Sequence, residues 1–206
     1  MVHRLRLAVV IVLSAILVAP ISALVGAQDR FTRQLGDRFQ SKLVRIVELG
    51  KTARARASSP ASTQLTDAEI TAYLRFHARD QVPVGIIEPE LQALGEGRVG
   101  GSAIVDLDAV RAQKQRGWLD PLAYLTGRLP LTVSGVLITQ DGIGRFQLES
   151  AAISGVTVPK TVLQELLSFY SRTPEDPDGI NMDDPFELPS RIREIRVGKG
   201  DAIVIQ

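Results

Sequence analysis

The stretch LTVSGVLITQDGIGRFQLESAAISGVTVP, residues 131–159, decides the fold class. Residues 131–139 form a short run rich in β-branched side chains and read as a strand. Asp141-Gly142 follows, a pair suited to a tight hairpin turn. On the return run Phe146 and Leu148 face inward, while Arg145, Gln147 and Glu149 face outward. The phase slips near Ala151-Ala152, since Ile153 is the next apolar residue, and a β-bulge is expected there. An antiparallel pairing of residues 131–139 with 145–153 follows from this pattern. Gly155-Val156-Thr157-Val158-Pro159 then leads straight into a helix over 159–171, on which Val162, Leu163, Leu166, Leu167 and Tyr170 make a wide apolar stripe.

Upstream, residues 29–50 read as an amphipathic helix. Phe31, Leu35, Phe39, Leu43 and Ile46 recur at spacings of four and three, with Arg30, Arg33, Asp37, Arg38 and Lys42 between them. Residues 51–63, KTARARASSPAST, carry small and basic side chains without apolar periodicity and read as a linker. Thr66-Asp67-Ala68-Glu69 is a capping box, and the helix it opens turns Ile70, Tyr73, Leu74 and His77 to one face. Strands begin at about Val84. Residues 99–107 alternate, with Ala103, Val105 and Leu107 opposite Ser102, Asp106 and Asp108, and Gly100-Gly101 hints at a bulge or a close backbone approach. Asp120-Pro121 opens a short helix that Gly127 closes. Downstream of the second helix come an acidic loop over 173–187 and a final hairpin, 193–197 with 202–205. Strands follow strands, with helices inserted at wide intervals. The expected fold is α+β: a curved antiparallel sheet with amphipathic helices packed on one face.

The N-terminus places this domain outside the cytoplasm. His3, Arg4 and Arg6 precede an uncharged run from Leu7, broken at Pro20 and ending in Val25-Gly26-Ala27, after which Gln28-Asp29-Arg30 is abruptly polar. A signal peptide cleaved after Ala27 fits this pattern. An uncleaved anchor is the alternative, because residues 7–27 are long enough to span about 30 Å of bilayer core. Either way the basic flank stays inside and the remainder is exported, to the periplasm or the extracytoplasmic face of the membrane. The chain therefore divides into residues 1–27, the helix and linker at 28–63, and a single α+β domain at 64–206.

Composition excludes more than it assigns. There is no cysteine, so the exported domain is held together by burial rather than disulfides, and thiol chemistry is absent. Without Arg4 and Arg6 the chain carries 22 basic against 23 acidic residues, which gives no general electrostatic grip on nucleic acid. His77 is the one histidine beyond the N-terminal run, so no multi-histidine metal site forms within one chain, and its place at a helix end reads as structural. There is no Gly-x-Ser-x-Gly elbow, no His-Glu-x-x-His and no phosphate loop. The loop DPDGINMDD, residues 176–184, offers oxygen ligands from Asp176, Asp178, Asn181, Asp183 and Asp184. A calcium loop wants glycine sixth, whereas Gly179 falls fourth and Ile180 occupies a ligand position, so the stretch reads as a solvated connector. No catalytic residue, metal or cofactor is assigned.

The stripe on the helix 159–171 faces a sheet whose inner side is expected to carry Leu131, Val133, Leu137, Phe146, Leu148, Ile195 and Val197. Such a layer is either filled by its own side chains or parts to hold an acyl chain, and the pattern leaves both open. From about residue 65 onward, the strand ending in Gly155-Val156-Thr157-Val158-Pro159, the helix after it and the Leu188-Pro189 before the closing hairpin resemble the LmeA-like and YpmS-like envelope proteins, distant relatives of tubular lipid-binding domains. The resemblance implies a non-enzymatic envelope protein that binds a lipid or other amphiphile, with a membrane surface as a further contact. Amphipathicity nominates the groove residues: Leu131, Val133, Leu137, Phe146, Leu148, Val162, Leu163, Leu166, Leu167 and Tyr170. The alternatives are a structural or protein-interaction module of the envelope and a carboxylate-dependent hydrolase.

Overall fold

A computed structural model describes residues 30–51, 60–112, 126–174 and 176–206. The N-terminal apolar run, most of the linker and the expected helix start at Asp120-Pro121 lie outside the described residues. In chain order the elements are α1 (Arg33–Lys51), β1 (Ser62–Thr66), α2 (Asp67–Phe76), β2 (Ile86–Gly95), β3 (Arg98–Asp106), α3 (Leu107–Ala112), β4 (Arg128–Gln140), β5 (Ile143–Ile153), β6 (Val156–Thr157), α4 (Lys160–Ser171), β7 (Phe186–Glu187), β8 (Glu194–Val197) and β9 (Asp201–Ile205). The fold is α+β. A six-stranded antiparallel sheet runs β2-β3-β4-β5-β6, with β7 also paired to β5, and does not close into a barrel. A second, three-stranded antiparallel sheet has the order β1-β9-β8.

The expected hairpin is the centre of the large sheet. β4 and β5 pair antiparallel, with Leu137 opposite Phe146 and Gln140 opposite Ile143. Asp141 and Gly142 both have positive φ, 51° and 84°, as a two-residue turn matched to the strand twist requires. The register shifts between Ser134 and Gly135: Ser134 faces Ser150 and Gly135 faces Leu148, leaving Glu149 as the extra residue. The bulge thus sits two residues before its expected place, and it restores Ala151 to the buried face. Gly100-Gly101 pair regularly with β2 and β4, and the other register shifts fall in β2 instead. Leu107 does not continue β3. It opens α3, because the Asp106 carboxylate accepts from the Ala109 backbone N–H at 3.0 Å and starts a helical turn.

Pairing places Leu91, Ala93, Val99, Val133, Leu137, Phe146 and Ala151 on one face of the large sheet. The opposite face is polar and partly solvated: Ser134 and Ser150 hydroxyls lie 2.9 Å apart, and Arg98 reaches Glu149 at 3.1 Å. That division is the usual one for an antiparallel sheet covered on one side. The edge strand β2 is closed by α2 rather than by another strand. Thr71, fully buried, accepts from the Leu91 N–H at 2.9 Å and donates to the Leu91 carbonyl at 3.3 Å. Arg75 donates to the Pro89 carbonyl at 3.0 Å beside it. Thr71→Val keeps the shape but strands a buried N–H, so a loss of about 1–3 kcal/mol is expected in chemical denaturation. A change below about 0.5 kcal/mol would show that β2 is not sealed in this way.

The same device joins the two sheets. The Thr139 hydroxyl accepts from the Ile195 N–H at 2.7 Å and donates to the Ile195 carbonyl at 3.0 Å. Ile195 and Val197, expected on the inner face of the hairpin's sheet, therefore belong to β8 of the small sheet. The linker reading also ends early: Ser62 and Thr63 already belong to β1, which pairs with the C-terminal β9 from Ser62 opposite Ile205 to Thr66 opposite Asp201. The capping box at Thr66 and Glu69 forms in both directions. α1 lies along α2. Gly36 permits the close approach, since a Cβ there would meet His77 Nδ1 at 2.5 Å and the Ala72 carbonyl oxygen at 3.3 Å.

Candidate functional site

The inner face of the large sheet is covered in two patches, and the nominated residues do not share one of them. Under α4, buried Val133 and Ala151 pack with Leu131, Leu148, Val158 and Leu163. Leu166 and Leu167 are half-buried, and Val162 remains 43% exposed. The Tyr170 side chain lies outside the described residues. Phe146 is buried opposite Leu137, and Leu137 faces the second patch, away from the α4 cluster. The structure thus brings Leu131, Val133, Leu148 and Leu163 together, and sets Leu137 in a separate apolar enclosure.

α4 is held less by the sheet than by the loop after it. Gln164 donates to the Ile180 carbonyl at 2.9 Å and accepts from the Met182 N–H at 2.8 Å; the Ser171 hydroxyl accepts from the Ile180 N–H at 2.7 Å. The acidic segment is therefore a clamp on α4. Among the described residues, no group of three or more His, Asp or Glu side chains is arranged to hold a metal ion.

The second patch lines a partly open cavity of about 230 Å³. Phe39, Leu43 and Ile46 of α1 and Ile70, Tyr73 and Leu74 of α2 form its helical wall. Leu91, Ala93, Val99 and Leu137 of the large sheet form its floor, and Leu65, Ile192, Ile195 and Val204 close it from the small sheet and the segment before it. Ile46, Leu65, Ile192 and Val204 are themselves one buried cluster. The walls are almost wholly apolar, because the wall elements turn their apolar stripes inward. The helix stripe Phe39-Leu43-Ile46 was legible in the sequence as amphipathic. What it covers was not.

Polar contacts hold the helical wall. Lys42 Nζ lies 2.7 Å from Glu69 Oε2, and the Glu69 side chain is only 7% exposed. Burial by itself would raise the Glu69 carboxyl, but the hydrogen bond and charge of Lys42 and the donors of Thr66 outweigh it and hold it below the usual carboxylate range. His77 ends α2 with its N–H on the Tyr73 carbonyl at 2.8 Å, stacks on the Tyr73 ring and contacts Asp37 of α1 through Nε2 at 2.6 Å. Its Nδ1 is buried without a hydrogen-bond partner. His77 therefore ties two helices together, as its helix-end position suggested. Compared with protein-family models, with curated proteins and with solved structures, the chain finds no match.

Proposed function

We propose that this chain is a non-enzymatic envelope protein that holds an acyl chain or a similar apolar molecule in the cavity between α1, α2 and the two sheets. One observation carries the proposal: a cavity of about 230 Å³ with almost wholly hydrocarbon walls. A hydrocarbon ligand seated against these walls gains about 0.8 kcal/mol per buried methylene before ordering costs. Water is a poor occupant, because the walls offer it too few hydrogen-bonding partners. The basic-then-apolar N-terminus supports export, and the resemblance to LmeA-like and YpmS-like envelope proteins points the same way. This reading moves the ligand from the expected site under α4 to the neighbouring half of the same sheet face.

The test is lipid extraction, followed by mass spectrometry, on the purified chain and two variants. Ala93, 8% exposed on the cavity floor, is changed to Leu to fill the space. Leu166→Trp, on α4 and outside the cavity, is the control. The parent and Leu166→Trp should yield a near-stoichiometric amphiphile, and Ala93→Leu should yield little. No lipid in any preparation, together with an Ala93→Leu protein stabilised by about 0.5–2 kcal/mol as simple cavity filling predicts, would overturn the carrier reading. An interaction module would then stand in its place.

A further inference from the structure

We infer that the turn over 189–192 is a gate at the cavity mouth, held shut in a strained form by Gln206. The inference rests on the carrier reading above and concerns how the ligand enters and leaves. Leu188, Pro189 and Ser190 line the cavity and are half-buried, so this segment stands between the apolar space and solvent. Its two ends are pinned to one residue. The Leu188 N–H donates to the Gly142 carbonyl at 2.7 Å, and the Gly142 N–H donates to the Arg193 carbonyl at 3.0 Å. Between these pins Ile192 is anchored in the core and Pro189 has a fixed φ, so movement falls to Ser190 and Arg191.

The Ile192 N–H donates to the Pro189 carbonyl at 3.1 Å and closes the turn. Its central residues, Ser190 and Arg191, both have positive φ, 56° and 57°. A type I′ turn has this pair of signs and favours Asn-Gly, whereas serine and arginine strain in it. The turns at Glu96-Gly97, Asp141-Gly142 and Ser154-Gly155 have the same two signs but place glycine second. Among the described residues, only Ser190-Arg191 puts two consecutive side chains in this conformation. Outside contacts hold the strained form. Gln206 Nε2 donates to the Ser190 carbonyl at 2.7 Å and to the Ile46 carbonyl of α1 at 2.8 Å, so one carboxamide latches the turn to the helical wall. Gly50, near the end of α1, lets the turn lie against the helix, because a Cβ there would meet the Ser190 carbonyl oxygen at 2.5 Å. Relaxation of Ser190 and Arg191 to negative φ would redirect the Ser190 carbonyl, break the latch and lift the turn off α1. Strained backbone kept in place by a few outside contacts is a bistable element, and hinges of this size gate ligand sites.

The test is exchange of 1-N-phenylnaphthylamine, an apolar fluorophore, followed by stopped flow on the delipidated full-length chain. Gln206→Ala should speed both binding and release by about three- to tenfold, the effect of losing one hydrogen bond, while Kd stays within about twofold. A latch common to the empty and the filled protein changes the barrier and not the end states. Ser190→Asn suits the shut turn better and should slow both rates by about threefold, again without moving Kd. That variant leaves the contact of Gln206 with Ile46 in place, so it separates the gate from a general loosening of α1. Unchanged rates in Gln206→Ala, or faster rates there without slowing in Ser190→Asn, would overturn the gate and leave the carrier reading intact. Should Gln206→Ala misfold, Ser190→Asn decides alone, and rates no slower than those of the parent would overturn the gate. Failure of the probe to bind the parent protein would overturn the carrier reading itself.

Discussion

Ile46→Ala is expected to destabilise the protein by about 2–5 kcal/mol, the range for truncating a large buried aliphatic side chain. Ile46 lies on α1 but is 3% exposed, and its neighbours are Leu65 of β1, Ile192 and Val204 of β9. α1 therefore contributes to the main core and is not an appendage. The C-terminal residue reinforces the contact, since Gln206 Nε2 donates to the Ile46 carbonyl at 2.8 Å and to the Ser190 carbonyl at 2.7 Å. Val44, two residues away on the outer face of the helix and 56% exposed, is the control, and Val44→Ala should stay within about 0.5 kcal/mol. The measurement is a urea midpoint on ligand-free protein, because any bound amphiphile would add its own stabilisation. A loss below about 1 kcal/mol for Ile46→Ala would mean that α1 leaves the domain in solution, and the cavity would then lack its helical wall.

How much of this was legible depended on whether the deciding contact was local. The turn at Asp141-Gly142, the capping box at Thr66 and Glu69 and the helix after Pro159 each follow from residues within a few positions of one another, and all three are present. The bulge was half legible. The phase slip read near Ala151-Ala152, with Ile153 the next apolar residue, says that one residue after Leu148 is extra, but not which one. Cross-strand hydrogen bonding selects Glu149.

The small sheet was hidden for a different reason. β1 has five residues, too few for a convincing period, and its partner β9 lies at the other end of the chain. Ile195 and Val197 alternate correctly for a strand, but alternation carries no label for which sheet a strand joins. The Thr139–Ile195 hydrogen bonds that join β8 to the hairpin's sheet come from a side chain, and no periodicity reports them. The site followed the same rule. Both amphipathic helices were visible, yet an apolar stripe records only that something covers it. Leu137 and Phe39 line the same cavity because two sheets and two helices converge there, a juxtaposition that arises only in three dimensions.

Gly135→Ala is expected to cost about 3 kcal/mol, at the upper end of the range for overpacking a rigid site. Its φ is not positive, so the constraint is space and not backbone conformation. A Cβ at this position would fall closer than 3.0 Å to both the Gln147 carbonyl oxygen and Cζ of Phe146. The hairpin register creates that crowding. In the ladder that runs unbroken from the turn, Gly135 faces Leu148, and the Phe146 ring from the next pair on the same face, Leu137–Phe146, lies across the glycine. Phe146 is 4% exposed and has little room to retreat. A double-mutant cycle with Phe146→Leu divides the two obstacles. If the ring is the main one, Gly135→Ala should become clearly cheaper in the Phe146→Leu background. An undiminished cost would assign the clash to the Gln147 carbonyl, which no side-chain change can relieve. A cost below about 0.5 kcal/mol for Gly135→Ala alone would contradict the register set by the turn, in which Gly135 faces Leu148 and the Phe146 ring and the Gln147 carbonyl press onto this residue.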